Sequence, residues 1–324
     1  MKIDMYTHIR TPKYSDAISK YTFQEMAPIG DLWDLEQRFR IMDMFDDYVQ
    51  VLTFSLPPVE AIAGPKDAVK LAQLGNDELA ELVNKYPDRF AAGVANLPMN
   101  DIDAALKEVD RAIKDLGLKG VLIYTNINGK PPDSPEFMPL YEKMAHYDLP
   151  IWIHPHREHT VADYRTESES KFNLYAALGW PYETQLTMSR LTCSGVLESY
   201  PNLKFITHHC GGGIPYIGNR ITGFLGTYLA QHPDTSLTRL TKEPIEYLRM
   251  FYGDTAIGGN TAAIECGYAF FGAEHVVFGT DMPYGRERGK HGITQAISSI
   301  TEMALADSDR QKIFEGNAKK LLHL

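Results

Sequence analysis

The chain has 324 residues, enough for two average domains or one α/β barrel, and its 44% hydrophobic content excludes a disordered protein. With 42 acidic against 32 basic residues it carries a formal net charge of −10, which argues against nucleic acid or an anionic membrane surface as partner. Cys193, Cys210 and Cys266 are odd in number and far apart, so they form neither a disulfide framework nor a CxxC metal knuckle. No uncharged apolar run approaches the roughly 18 residues of a membrane span. Asp4 stands where a signal peptide would be apolar, and the expectation is a cytoplasmic protein.

Short β-branched segments alternate with amphipathic ones along the chain. The segments that read as strands are Ile3–His8, Val49–Phe54, Phe90–Asn96, Gly120–Tyr124, Ile151–His156, Leu203–His209, Met250–Asp254 and Val276–Thr280. Helical patterns fill most of the gaps, as at Asp67–Tyr86, Asp101–Leu116, Glu136–Tyr147 and Glu183–Tyr200. Asp101 and Ser134-Pro135 read as helix starts, Gly117 and Gly272 as stops. Eight βα units with no Gly-rich nucleotide loop after any strand predict an α/β fold of the (β/α)8 TIM-barrel type, spanning residues 1–324 as one domain. Two segments break the rhythm and distort the barrel. Residues 10–40, with Tyr14, Tyr21, Phe23 and Trp33, and residues 157–179, followed by Trp180, are long loops after the first and fifth strands. They read as insertions that form lids or substrate walls, or as covers packed against a second subunit.

Polar residues gather at the C-terminal ends of the strands, the end where barrels build active sites. The first strand closes on Tyr6-Thr7-His8, the fifth on His154-Pro155-His156, the sixth on His208-His209-Cys210 and the eighth on Thr280-Asp281. One strand histidine alone is more often a hydrogen-bonded core residue than a ligand. Histidines and an aspartate on four strand ends are harder to explain by packing, and neutral imidazoles with a carboxylate suit zinc, manganese or another divalent ion. Alternation along a strand puts Tyr6 and His8 on one face, His154 and His156 on one face, and His208 and His209 on opposite sides. His146, His232, His275, His291 and His323 read as ordinary surface or packing residues.

These motifs, with Val49-Gln50-Val51-Leu52 after Met42-Asp43, Glu183-Thr184-Gln185-Leu186, Gly279-Thr280-Asp281-Met282-Pro283 and Gly316-Asn317-Ala318, resemble the amidohydrolase superfamily over nearly the whole chain. The similar branch holds aminocarboxymuconate-semialdehyde decarboxylase and the resorcylate-type decarboxylases. The resemblance implies one divalent metal, zinc above all or else manganese. His8, His154 and Asp281 then match ligand positions, His209 matches the base, and His209 with Asp281 moves protons. Tyr6 departs from the pattern, standing where the family has its first ligand histidine. Three outcomes stay open: Tyr6 binds as phenolate, His156 supplies the missing nitrogen, or the metal has been lost. His208 is then expected to pack toward the helical layer or to bond at the strand end.

Arg40 lies in a segment that resembles the family's carboxylate-binding region, with a surface arginine beside Asp43 and Asp46 as the alternative. Trp180 and the loop aromatics are expected to sandwich a planar ring. The activity implied is a metal-dependent, cofactor-free decarboxylation of an aromatic or unsaturated carboxylic acid. The alternative is hydrolysis of an amide, lactone or cyclic diketone at the same site. The implied partners are a small carboxylate substrate and a second copy of the chain, as a homodimer or higher homo-oligomer.

Overall fold

The computed structural model describes residues 1–21 and 32–324; Phe23 of the first long loop lies outside them. Nine strand segments run β1 Lys2–Ile9, β2 Tyr48–Phe54, β3 Phe90–Gly93, β4 Ala95–Asn96, β5 Val121–Tyr124, β6 Ile151–His154, β7 Phe205–Thr207, β8 Tyr252–Asp254 and β9 Val276–Val277. All neighbours are parallel, in the orders β1-β2-β3 and β4-β5-β6-β7-β8-β9. Each strand except β3, which runs directly into β4, is followed by helix, which is why the strands can run in the same direction.

Backbone hydrogen bonds join the two sheets. β3 and β4 are one segment kinked at Val94, whose N–H donates to Leu52 O, while Ala95 N donates to Gly120 O. At the other seam Met5 N donates to Phe278 O (2.8 Å) and His8 N to Met282 O (2.6 Å), and Thr7 bridges Met282 in parallel. With β3 and β4 counted together there are eight strands in βα order, the (β/α)8 TIM-barrel architecture.

β1 is buried from Asp4 to Ile9, and β5 and β6 are buried throughout, as strands covered on both sides must be. Trp152 fills the interior and donates its indole N–H to Met5 O. The helix Pro65–Lys85 buries Ala68, Leu71, Ala72, Leu79 and Leu82, the 3–4 residue spacing of a helix with one face on the sheet. Asp101 caps the helix Ile102–Lys114 by accepting from Ala104 N, and Gly117 and Gly272 adopt positive φ just after helices, as their stop role requires. Among the described residues no helix is long and apolar enough to cross a membrane.

Candidate metal centre and active site

The strands are shorter at their C-terminal ends than the sequence pattern indicates. β6 stops at His154 and β7 at Thr207, so His156, His208 and His209 lie beyond the ladder, where alternation no longer governs direction. After His208 the chain turns through positive φ at His209 (55°), Cys210 (55°), Gly211 (72°) and Gly212 (62°). A Cβ on Gly212 would lie 2.4 Å from Pro181 O, so this glycine lets the turn pack closely against the helix Trp180–Cys193. The left-handed turn brings His208 and His209 to the same mouth, their rings stacked at 3.8 Å. The outward placement expected for His208 is therefore corrected: His208 is still extended (φ −76°, ψ 155°) and faces the mouth, and the positive φ at His209 brings the second ring to the same side.

Three buried imidazoles meet there. His8 directs Nδ1 at Phe54 O (3.1 Å), His154 directs Nδ1 at Pro155 O (2.7 Å), and His208 directs Nδ1 at the Asp254 carboxylate. Each partner is an acceptor, so each Nδ1 donates and each Nε2 is turned into the site; that of His208 also stands within hydrogen-bond distance of Asp281 Oδ1 (3.2 Å). Asp281 faces them, with Oδ1 3.1 Å from His8 Nε2 and 3.2 Å from His208 Nε2, and Oδ2 3.9 Å from His209 Nε2. His8 Nε2 is buried and, despite that 3.1 Å approach, has no aligned hydrogen-bond partner. Donor atoms of His8, His154 and His208 lie within 4.8 Å of one another, as do those of His208, His209 and Asp281. Donors about 2.0–2.2 Å from a shared ion sit roughly 3–3.5 Å apart, which the Asp281 contacts match, so the residues fit a divalent metal.

The electrostatics are consistent with a site built for a cation. Burial disfavours charge on His154 and, with the neighbouring imidazoles, pushes its pKa well below the usual histidine range. Burial also lowers His209, with His208 adding to the effect. At Asp281 burial opposes ionisation, but the surrounding imidazoles, His208 first, hold the carboxyl well below its ordinary range. Burial lowers His208 too, yet Asp254 and Asp281 outweigh it and raise that imidazole to about 10.

The other expected site residues divide. Trp180 stands edge-on to His154, ring centroids 6.1 Å apart, and donates Nε1–H to Arg157 O. Tyr6 is fully buried, its hydroxyl has no hydrogen-bond partner, and its ring stacks on His208. Burial, reinforced by Asp254, raises the Tyr6 pKa well above 10, which opposes a phenolate. His156 belongs to neither donor group, its Nδ1 buried without a partner beside Tyr124. Arg40 is corrected: it sits on the solvent side of the helix Leu35–Met42, 64% exposed, paired with Glu36 one turn back. A helix turned by its apolar face toward the barrel necessarily points that position outward.

Sequence reasoning missed two buried cations: Arg38, which bonds Gln50 Oε1 (2.7 Å) and His8 O, and Arg10. Arg10, 2% exposed, uses Nη2 to bind Leu56 O (2.6 Å) and leaves Nε and Nη1 unpaired. Its charge is felt by Tyr124 and Tyr284, and the Tyr284 ring lies 5.4 Å from that of His8. The only sequence clue is its place two residues beyond His8.

This barrel, with histidines and an aspartate at the C-terminal ends of its strands, is an amidohydrolase: the amidohydrolase family model matches residues 3–324, and the chain belongs to that family. Among its relatives, gamma-resorcylate decarboxylase of Polaromonas sp. (strain JS666) is 32% identical over 305 residues, 89% of this chain and 87% of that protein. The 2-amino-3-carboxymuconate-6-semialdehyde decarboxylase of Dictyostelium discoideum is 29% identical over 346 aligned positions, 100% of this chain and 92% of that protein. The solved structure of a dihydroxybenzoic acid decarboxylase from Polaromonas sp. JS666, with bound manganese and the inhibitor 2-nitroresorcinol, gives a TM-score of 0.80 at 27% identity. It covers 100% of this chain and 97% of that one.

Proposed function

We propose that the chain is a metal-dependent, cofactor-free decarboxylase acting on an aromatic or unsaturated carboxylic acid, with His8, His154 and Asp281 as metal ligands and His209 as the proton-handling base. The observation that carries this reading is the convergence of His8 Nε2 and His208 Nε2 on one oxygen of Asp281, 3.1 and 3.2 Å away, beside His154. A divalent ion held by these residues would supply positive charge to substrate oxygens and to the carbon that loses its carboxylate. The imidazole-rich donor set suits zinc; manganese, which the Polaromonas enzyme binds, is the second candidate.

Proton transfer falls to this chain's own side chains. Asp281 turns Oδ2 toward His209, whose imidazole is held below the usual histidine range by burial and is 21% exposed. A proton taken up from water passes by way of these two groups to the carbon that loses the carboxylate, so that the carboxylate and that proton become carbon dioxide and the C–H product. Arg10, with two unpaired guanidinium nitrogens in the interior, is the anchor for an anionic oxygen of the substrate. Trp180 covers a planar ring from the side of His154. The segment 157–179, which runs from the end of β6 to Trp180, serves as a wall of this mouth.

Hydrolysis gains no support, since the relatives named above are decarboxylases. A homodimer is the proposed assembly: Tyr216, Phe224 and Tyr228 form an exposed stripe on the helix Ile214–Gln231, at four- and eight-residue spacing. The three cysteines, odd in number and far apart in sequence, suit a reducing compartment, and the cytoplasm is the proposed location. The test is product analysis. Purified protein, loaded with zinc or manganese, is given a panel of hydroxybenzoic and unsaturated carboxylic acids, and products are scored by mass. Loss of carbon dioxide from at least one acid is expected, whereas uptake of water without that loss would replace this reading with the hydrolytic one.

A further inference from the structure

We infer that His208 is a metal ligand in this chain, supplying the imidazole that Tyr6 cannot, with Tyr6 and Asp254 as its positioning residues. The inference rests on the metal-dependent reading above and extends it to a residue outside the ligand set that the family resemblance implies.

Four observations lead there. His208 is the member common to both donor groups, one with His8 and His154 and the other with His209 and Asp281. Its Nε2 and that of His8 approach the same Asp281 oxygen within 0.1 Å of one another in distance, 3.2 and 3.1 Å. Its other nitrogen is engaged by Asp254, a fully buried carboxylate itself fixed by the N–H groups of Cys210 (3.0 Å) and Ala256 (3.1 Å). A carboxylate behind a histidine is the arrangement that orients metal-ligating imidazoles and raises their basicity. Finally, the Tyr6 ring lies flat against His208, centroids 3.8 Å apart and planes 6° apart. Tyr6 thus meets His208 with its ring face, and its hydroxyl, buried and unpaired, takes no part in the contacts of His8, His208 and Asp281.

The alternative role for His208 is a fixed imidazolium bridging Asp254 and Asp281, which would occupy the cation position itself. The two roles predict opposite metal behaviour.

The experiment uses the full chain, stripped with a chelator and reloaded with manganese alone. Pulsed EPR on the wild-type protein counts coordinated imidazoles and needs no variant; three are expected, from His8, His154 and His208. Manganese affinity is then measured for His208→Asn, His209→Asn and Tyr6→Phe, with folding checked by circular dichroism and thermal melting. We expect at least tenfold weaker binding and two coordinated imidazoles for His208→Asn, and three imidazoles with near wild-type affinity for the other two. Two imidazoles in the wild-type protein, undiminished affinity in His208→Asn, or tighter binding there because a competing cation has gone, overturns the assignment. Carbon dioxide release is scored separately: a wild-type protein that coordinates three imidazoles yet decarboxylates no acid retains this ligand set and loses the proposed activity.

Discussion

The Tyr6 and His208 rings are stacked within 6° of parallel at 3.8 Å, in a site where the Tyr6 hydroxyl has no hydrogen-bond partner. A buried hydroxyl left unpaired costs about 1–3 kcal/mol relative to a satisfied one. Tyr6→Phe keeps the stacked ring and removes that burden. We expect the variant to be as stable as the parent or up to about 1 kcal/mol more stable by denaturant unfolding. A loss of stability of similar size would show that the hydroxyl has an unseen partner.

The same mouth places the reaction under metal control. Dialysis against a chelator is expected to abolish carbon dioxide release, and stoichiometric zinc or manganese to restore it. Full turnover by metal-free protein, verified by elemental analysis, would leave only acid–base chemistry by His209 and Asp281.

Arg10 and Arg40 supply a paired test of where substrate charge is held. Hydrogen bonds to charged groups are worth about 1.5–3 kcal/mol, so Arg10→Met is expected to raise KM roughly 10–100-fold, with a smaller change in kcat. Arg40→Ala, whose side chain is 64% exposed and bound to Glu36, should leave both constants within about twofold. The reverse result would return the anchor to the outer helix.

Glu60 gives a pH dependence with a definite sign. It is buried with neither carboxylate oxygen hydrogen-bonded, and burial raises its pKa from 4.5 to about 8. A carboxyl whose folded pKa lies above its unfolded value binds protons more tightly when folded. Its contribution to stability is therefore lost as pH climbs from about 4.5 to about 8. Glu60→Gln, which is never charged, should gain on the wild-type protein across that window, by several kcal/mol at pH 8.5 and little at pH 5. Melting both proteins at the two pH values checks it, and a gap that stays constant would remove Glu60 as the cause.

The stripe on the helix Ile214–Gln231 tests the assembly. Tyr216 is 87% and Phe224 62% exposed, and Arg220 stacks on Phe224 at 4.9 Å. Phe224→Glu should convert a dimer to monomer in light scattering at micromolar concentration without unfolding it, since the side chain contributes little to the protomer core. A wild-type protein that is already monomeric would show that this face has another use.

The sequence by itself was enough to locate the strands, the barrel order and the positions of His8, His154 and Asp281. Those features depend on local rules: β-branched runs, helix punctuation, and the tendency of barrels to carry chemistry where strands end. Only the tertiary structure decided what happens a residue or two past the ladder. Alternation would separate His208 and His209 in a chain that stayed extended, but the positive φ angles from His209 onward bring its ring to the mouth that the extended His208 already faces. The partnership of His208 with Asp254 joins residues 46 apart in sequence, and no local pattern announces it. The choice between Arg10 and Arg40 likewise turned on which way each backbone segment faces. Arg40 follows an outward helical position into water, whereas Arg10 is carried by the end of β1 into an interior where its unpaired nitrogens lack any solvent to satisfy them.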